Sequence, residues 1–332
     1  MKKLIKIKKI KRKTKKINLN FNKFKLFILL ILYAIIFIFL SPFSIINKEF
    51  IKKKYKIKIC ICTLGKDENK YIREFVEHYE KYGIDKIFLY DNNDINGEKF
   101  EEVINDYIEK GLVEILNWRG KKFSMYKIMN NCYLTHYEYY DWLLFYEIDE
   151  FLYLYNYTNV KEFLEQDKFK QCKLILLNLI CHTDNDHLHY ENKPLAKRFP
   201  KIVPIESPRG QLLEVKFILK GHISNVTIEN MHFCNKKMDN CNGFGHINKT
   251  NQHYSSEPDY NYYYIDHYYS KSTEEFINKL NRGDAVSTSK KYYMERVNKY
   301  YLQSNFTMEK IKMIENGTGL DLSIYKKLLS KN

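Results

Sequence analysis

Proline and glycine are scarce in this chain, at 6 and 12 of 332 residues. That scarcity excludes a collagen-like or low-complexity protein and leaves no room for a long disordered region. Acidic residues are missing from the first 48 positions, Glu49 being the first. Of the 55 Lys and Arg residues, 13 precede Glu49, which leaves 42 against 40 acidic residues in the remainder. The net charge of +15 is therefore a property of the tail, and a basic nucleic-acid-binding face on the folded body is not supported; nucleic acid is not an expected partner.

What is present is apolar bulk: 45% of residues are hydrophobic and 16% aromatic. That is ample for one large domain or two small ones. Usage leans towards Lys, Ile, Asn and Tyr, as a genome of skewed base composition produces, so the 29 tyrosines carry no functional message by number alone.

Residues 26–46 form an uncharged run of 21. As a helix it would extend roughly 30 Å, the thickness of a bilayer's hydrocarbon core. Residues 1–25 are expected to be a basic cytosolic tail, 26–46 a transmembrane anchor and 47–55 a short stem. The basic flank keeps the N-terminus in the cytosol and sends the body across the membrane. A cleaved signal peptide fits less well, since its apolar core is about 7–15 residues and ends at small residues, whereas Ala34 is the one Ala or Gly in this run. The lipid bilayer is thus an expected partner. A lumenal body also suits the sequons at Asn156, Asn225, Asn248, Asn305 and Asn316. The seven cysteines include Cys234 and Cys241, spaced to close a short loop in an oxidising lumen.

Beyond residue 56 the pattern alternates. Residues 57–64 (IKICICTL) read as a buried strand, and Tyr71, Ile72, Phe75, Val76 and Tyr79 fall on one helix face. Residues 86–90 are a second strand, 100–110 a helix ended by Gly111, 113–116 a third strand, 124–137 a helix, and 142–146 (WLLFY) a fourth strand. Strands alternating with helices imply an α/β domain on a mostly parallel sheet. Ligands in such sheets sit beyond the carboxyl ends of the strands. That rule selects three stretches: Thr63 to Glu68, Asp91 to Asp94, and Glu147 to Glu150.

Glu147 and Asp149, two apart beyond a buried strand, can point into one cleft. Carboxylates there suit a hard divalent ion, Mn²⁺ or Mg²⁺, that neutralises a departing diphosphate. Asp91 at a strand end can accept hydrogen bonds from a nucleotide's ribose or base, or serve an Asx-turn.

Tyr90-Asp91-Asn92-Asn93 followed by Asp141-Trp142-Leu143-Leu144-Phe145 and Glu147-Ile148-Asp149-Glu150-Phe151 resembles glycosyltransferase family 92 and its family 2-like relatives. Lys66 to Asn69, Pro194 to Phe199, and Asp266 to Ser272 with Glu274, Glu275, Phe276 and Lys279 to Gly283 extend the likeness over about 56–285 in the same order. The resemblance implies a GT-A, Rossmann-like nucleotide-diphospho-sugar transferase domain. Its expected span is 56–302, with 303–332 a C-terminal helical extension. It implies inverting, metal-dependent transfer of a hexose, galactose favoured, from a nucleotide-sugar, UDP-sugar favoured, to a glycan acceptor. Thr63, Glu68, Asp91, Asn93 and Glu147 are the expected donor-binding residues; Glu147, Asp149 and His267 are the expected metal ligands. Golgi or ER is the expected compartment.

An inverting transfer needs a general base. Asp184 and Asp186 are the first candidates beside Asp149 in the catalytic set, with Glu150 and Glu191 behind them. Zinc sites from His182, His187 and His189, or from His232, Cys234, Cys241 and His246, match no established spacing. The alternative function is a catalytically inactive, membrane-anchored glycan-binding protein of the same fold.

Overall fold

The computed structural model describes residues 55–122, 125–204, 214–230, 232–234, 238–248, 257–283 and 289–330. The expected tail, the anchor and all of the stem but Tyr55 lie outside the described residues. Among the described residues no helix is long and apolar enough to cross a membrane.

Local patterning sets the first half. β1 (Ile59–Gly65), α1 (Asn69–Lys81), β2 (Lys86–Asp91), α2 (Glu101–Glu109), β3 (Val113–Asn117), α3 (Met125–His136) and β4 (Trp142–Phe145) alternate as the periodicity predicts. Gly111, at φ +76°, follows α2 in the left-handed region that ends a helix cheaply. Strand order β3-β2-β1-β4 is parallel throughout.

β1, β2 and β4 are buried on both faces, so alternate residues serve two cores. Ile59, Ile61, Ile87 and Leu89 face the side where α1 buries Tyr71, Ile72, Phe75, Val76 and Tyr79. Each such side chain contributes about 1.5–3 kcal/mol on burial. Cys60, Cys62, Phe88 and Tyr90 face α3, through Ile128, Met129, Cys132 and Tyr133. A Cys62–Cys132 disulfide ties β1 to α3.

Beyond β4 the sheet takes in antiparallel neighbours. β5 (Glu150–Leu154) leads through α4 (Val160–Leu164) to β6 (Leu174–Cys181), and α5 (Leu195–Arg198) precedes β7 (Val215–Lys220). β7 lies between β4 and β6, antiparallel to both. Antiparallel neighbours need no crossover helix, and α5, at four residues, is too short to be one. β8 (Ile228–Asn230) pairs with β9 (Phe233–Cys234) as a separate ribbon. β10 (Asn240–Asn242) and β11 (Tyr263–His267) run parallel to β6, and β5 closes the sheet antiparallel to β11. Among the described residues this makes a nine-stranded mixed sheet.

The expected Cys234–Cys241 bridge is replaced by Cys172–Cys241. Sequence proximity suggested the former, but β10 pairs with the start of β6, Asn240 opposite Leu174, and so sets Cys241 next to Cys172, with Cα atoms 5.8 Å apart.

Helices α6 (Thr273–Asn281), α7 (Lys290–Gln303), α8 (Met308–Thr318) and α9 (Ser323–Leu329) end the chain. A third apolar cluster joins Tyr269, Phe276, Leu280, Val297 and Tyr300 to Phe306, Ile311, Ile314, Leu322 and Tyr325. Residues from 303 onward therefore share a core with α6 and α7. Lys56–Asn332 forms one compact unit.

Candidate active site

β4 delivers the chain into the turn Glu147-Ile148-Asp149-Glu150, closed by Glu150 N donating to Glu147 O at 3.0 Å. Ile148 turns back into the core while the carboxylates converge. Gly65, ending β1, lets this turn come close: a Cβ there would stand 2.5 Å from the Ile148 side chain. β11 brings His267 opposite Glu150. The His267 Nε2 atom lies 3.6 Å from Asp149 Oδ1 and 3.9 Å from Glu150 Oε1.

Three lysines answer the three acids. Lys216 of β7, with no exposed side-chain surface, puts Nζ 3.0 Å from both Glu147 and Glu150. Lys271 Nζ and Lys279 Nζ donate to Asp149 Oδ2 at 2.8 and 3.1 Å. Burial opposes ionisation of Asp149, but Lys271, Lys279 and His267 outweigh it and hold the carboxyl well below its ordinary value. Burial likewise opposes ionisation of Glu147, and Lys216 overcomes it, leaving Glu147 well below the usual carboxylate range. Glu150 goes the other way. Burial, with the charges of Glu147 and Asp149, pushes it up despite Lys216. Burial pushes His267 down to about 3, against the pull of Asp149, so its imidazole is neutral.

Two adjoining clefts open here. The first, about 320 Å³, lies beyond the carboxyl ends of β1, β2 and β3; Lys66, Glu68, Asp94, Lys121 and Arg282 line it, along with Glu147 and Asp149. The second, about 380 Å³, is walled by Tyr126, Tyr269 and Tyr292, with Glu214, Glu295 and Lys299. Met125, Glu147, Lys279 and Arg296 border both.

The sequence candidates divide. Glu147, Asp149 and His267 come together, and Glu68 lines the first cleft with its Oε1 accepting from Arg282 at 2.6 Å. Asp91 faces inward. Its Oδ2 accepts from Arg119 Nε at 2.7 Å and its Oδ1 from Asn93 N at 3.0 Å. Arg119 in turn donates to the carbonyls of Asp94, Ile95, Gly97 and Glu98, so Asp91 shapes the loop whose Asn92 and Asp94 line the cleft. Asn93 is buried, its Oδ1 accepting from Asp67 N at 2.7 Å. Thr63 is buried within β1, with no protein partner for its hydroxyl.

Asp184 and Asp186 line neither cleft. Asp184 Oδ2 accepts from Tyr300 Oη and Lys310 Nζ, both at 2.6 Å, and Asp186 from Lys310 at 3.2 Å. Both acids hold the C-terminal helices rather than reach towards the other site residues. Glu191, also held in reserve, is an exposed partner of Lys193. The candidate zinc residues are otherwise engaged: His182 contacts Asp266 and the Phe199 carbonyl, and Cys241 is in a disulfide. Sequence reasoning missed Lys216, Arg119 and Glu214. A lysine inside the apolar strand VKFILK was the available signal, since such a charge is buried only when paired.

The family model for glycosyltransferase family 92 matches residues 55–312. The chain belongs to glycosyltransferase family 92. A glycosyltransferase family 92 protein of Oryza sativa subsp. japonica is 28% identical over 145 residues, covering 43% of this chain and 24% of that protein. One of Ricinus communis is 23% identical over 130 residues, covering 38% and 22%. The matched stretch thus spans about a quarter of the length of these relatives. Among solved structures, S. aureus TarS 1–349 in complex with UDP-GlcNAc aligns over 79% of this chain and 80% of that one, at 13% identity and a TM-score of 0.36. The mannosyltransferase PcManGT from Pyrobaculum calidifontis, in complex with GDP-Man and Mn²⁺, aligns over 41% and 42%, at 8% identity and a TM-score of 0.28.

In this family 92 chain Glu147, Glu150 and His267 place one ligand atom each within 4.8 Å of one another, among the described residues the group so arranged. Two carboxylates and a neutral imidazole suit a borderline-hard divalent ion such as Mn²⁺. His267 Nδ1 is buried with no partner, so no second group fixes the ring against ligation. The set fits a metal, and Asp149 Oδ1, 3.6 Å from His267 Nε2, stands beside it.

Proposed function

We propose that the protein is a membrane-anchored, inverting glycosyltransferase that moves a hexose, galactose favoured, from a UDP-sugar to a glycan acceptor with a divalent ion. The observation that carries this reading is the convergence of the acid turn and a cation-rich cleft at the strand ends, in a family 92 chain. The parallel β3-β2-β1-β4 half supports a GT-A catalytic fold with the donor at those ends.

In this reading the nucleotide lies along the first cleft, near Asn92 and Asp94, and its diphosphate meets Lys66, Lys279 and Arg282. Glu147, Glu150 and His267, with Asp149 beside them, would hold Mn²⁺ or Mg²⁺, which would supply positive charge for the departing diphosphate. The acceptor occupies the second cleft. Tyrosines there offer faces to the apolar side of a sugar ring, and carboxylates accept from its hydroxyls. The acceptor oxygen bonds to the anomeric carbon opposite the diphosphate, the carbon–diphosphate bond breaks, and the hydroxyl proton passes to a base. Glu214 takes that role. It lines the second cleft just ahead of β7, with Lys299 Nζ 3.9 Å from its carboxylate. Asp184 is already committed to Lys310 and Tyr300.

The basic tail and the 21-residue run support a single span with the N-terminus cytosolic and the domain lumenal, in the Golgi or ER. Four of the five sequon asparagines, Asn156, Asn225, Asn305 and Asn316, are exposed, while Asn248 is buried.

The test is nucleotide release by the full chain against a panel of nucleotide-sugars with Mn²⁺ and with chelator. Release from one donor, lost on chelation, is expected. Release from none by folded protein would leave the inactive glycan-binding protein as the better account.

A further inference from the structure

The acid turn is already supplied with cations. Lys216 pairs with Glu147 and Glu150, and Lys271 and Lys279 both pair with Asp149, within 3.1 Å in every case. The lysines come from three places: β7, the turn after β11, and α6. A bare divalent ion entering this ring would add two positive charges with nothing to offset them. It would also have to take a carboxylate from a lysine, leaving a buried ammonium unpaired, which is the costly way to break a buried ion pair.

The three lysines are not equally placed. The side chains of Lys216 and Lys271 are 0% and 5% exposed, whereas Lys279 is 17% exposed and borders both clefts. Its Nζ also stands 4.4 Å from the centre of the Tyr269 ring, a second resting place for the ammonium. Lys279 is thus the cation that can leave Asp149 for a ligand. A nucleoside diphosphate brings the negative charge that a divalent ion lacks, and its oxygens can accept from the Lys279 ammonium.

We propose that Lys216, Lys271 and Lys279 bar a bare divalent ion from the acid turn, so that the ion enters only together with a nucleoside diphosphate, to which Lys279 transfers from Asp149. This rests on the donor-site reading above and sets the order in which that site fills. Lys279 is a gate on ion entry as well as a contact for the leaving group.

The experiment is calorimetric titration of the full chain with MnCl₂, alone and with saturating UDP, for the wild type, Lys279→Met and Lys279→Arg. Wild type should bind Mn²⁺ alone at least tenfold more weakly than with UDP. Lys279→Met, which uncovers one Asp149 charge, should bind Mn²⁺ alone at least tenfold more tightly than wild type and UDP more weakly. Lys279→Arg should resemble wild type. Equal Mn²⁺ affinity with and without UDP would overturn the proposal, and so would a folded Lys279→Met whose Mn²⁺ affinity is unchanged. Should Lys279→Met fail to fold, Lys279→Gln serves the same comparison, and the wild-type pair of titrations needs no variant. The underlying reading fails differently. UDP binding with no Mn²⁺ uptake in any state would remove the metal, and no UDP binding in any state would remove the nucleotide donor.

Discussion

Two acid-rich turns lie at the same edge of the sheet. Glu147-Ile148-Asp149-Glu150 follows β4, and Asp184-Asn185-Asp186 follows β6, which runs in the same direction because β7 is antiparallel to both. Each contains an acid-x-acid pair; the first meets three lysines from far along the chain and the second meets Lys310. They differ in what covers them. The first opens on both clefts. Over the second, Tyr300 of α7 and Lys310 of α8 close down, and the Asp184 and Lys310 side chains are each 1% exposed. One turn faces the clefts; the other fastens the C-terminal helices. An acid-x-acid pair at a strand end is therefore a place where chemistry is possible, and the elements packed over it decide whether it is used.

Removing the cover should have the largest effect. A chain ended after residue 302 loses Phe306, Ile311, Ile314, Leu322 and Tyr325 from the third cluster. At about 1.5–3 kcal/mol each, that loss matches a typical domain's whole stability. We expect insoluble or proteolytically labile protein; a cooperative thermal transition near that of the full chain would mean the closing helices are dispensable. Asp184→Ala should come next. It leaves the Lys310 ammonium buried without its buried carboxylate partner, at a cost of about 3–5 kcal/mol, read as a lowered urea midpoint. Glu147→Gln leaves Lys216 its contact with Glu150, so it should move that midpoint much less while sharply reducing transfer. If the two substitutions had equal effects on stability, the contrast between the turns would be lost.

Glu214→Gln should lower kcat by about 10²-fold or more, as loss of a general base does, with the unfolding midpoint held. Unchanged kcat would return the base role to another carboxylate of the second cleft. The smallest effect should come from Asp186→Asn. Its side chain is 52% exposed, and the change should stay within about 0.5 kcal/mol with transfer intact. A large loss of activity there would put the second turn back in the chemistry.

Much of the first half was legible because its signals are local. The buried face of α1, the capping Gly111 and the run WLLFY ending at Glu147 all follow from spacing within a dozen residues. The antiparallel insertion of β7 was not legible, since an apolar strand carries no mark of its direction or neighbour. Asp91 shows the same limit at the site. Its place at the end of β2 was readable, but its inward use depends on Arg119, 28 residues on, folding back across the loop. The Cys172–Cys241 pairing likewise rests on strand neighbours, not on the short spacing that favoured Cys234.

The sequence by itself determined the alternation of strands and helices, the polar strand ends and the family, because period and motif are written in consecutive residues. Only the tertiary structure decided which acids meet solvent and which meet lysine. Lys216, Lys271 and Lys279 lie 69, 122 and 130 residues from the carboxylates they hold. Ion pairs at such separation exist only once the sheet has closed and the last helices have packed against it, because no local pattern of residues brings the two charges together.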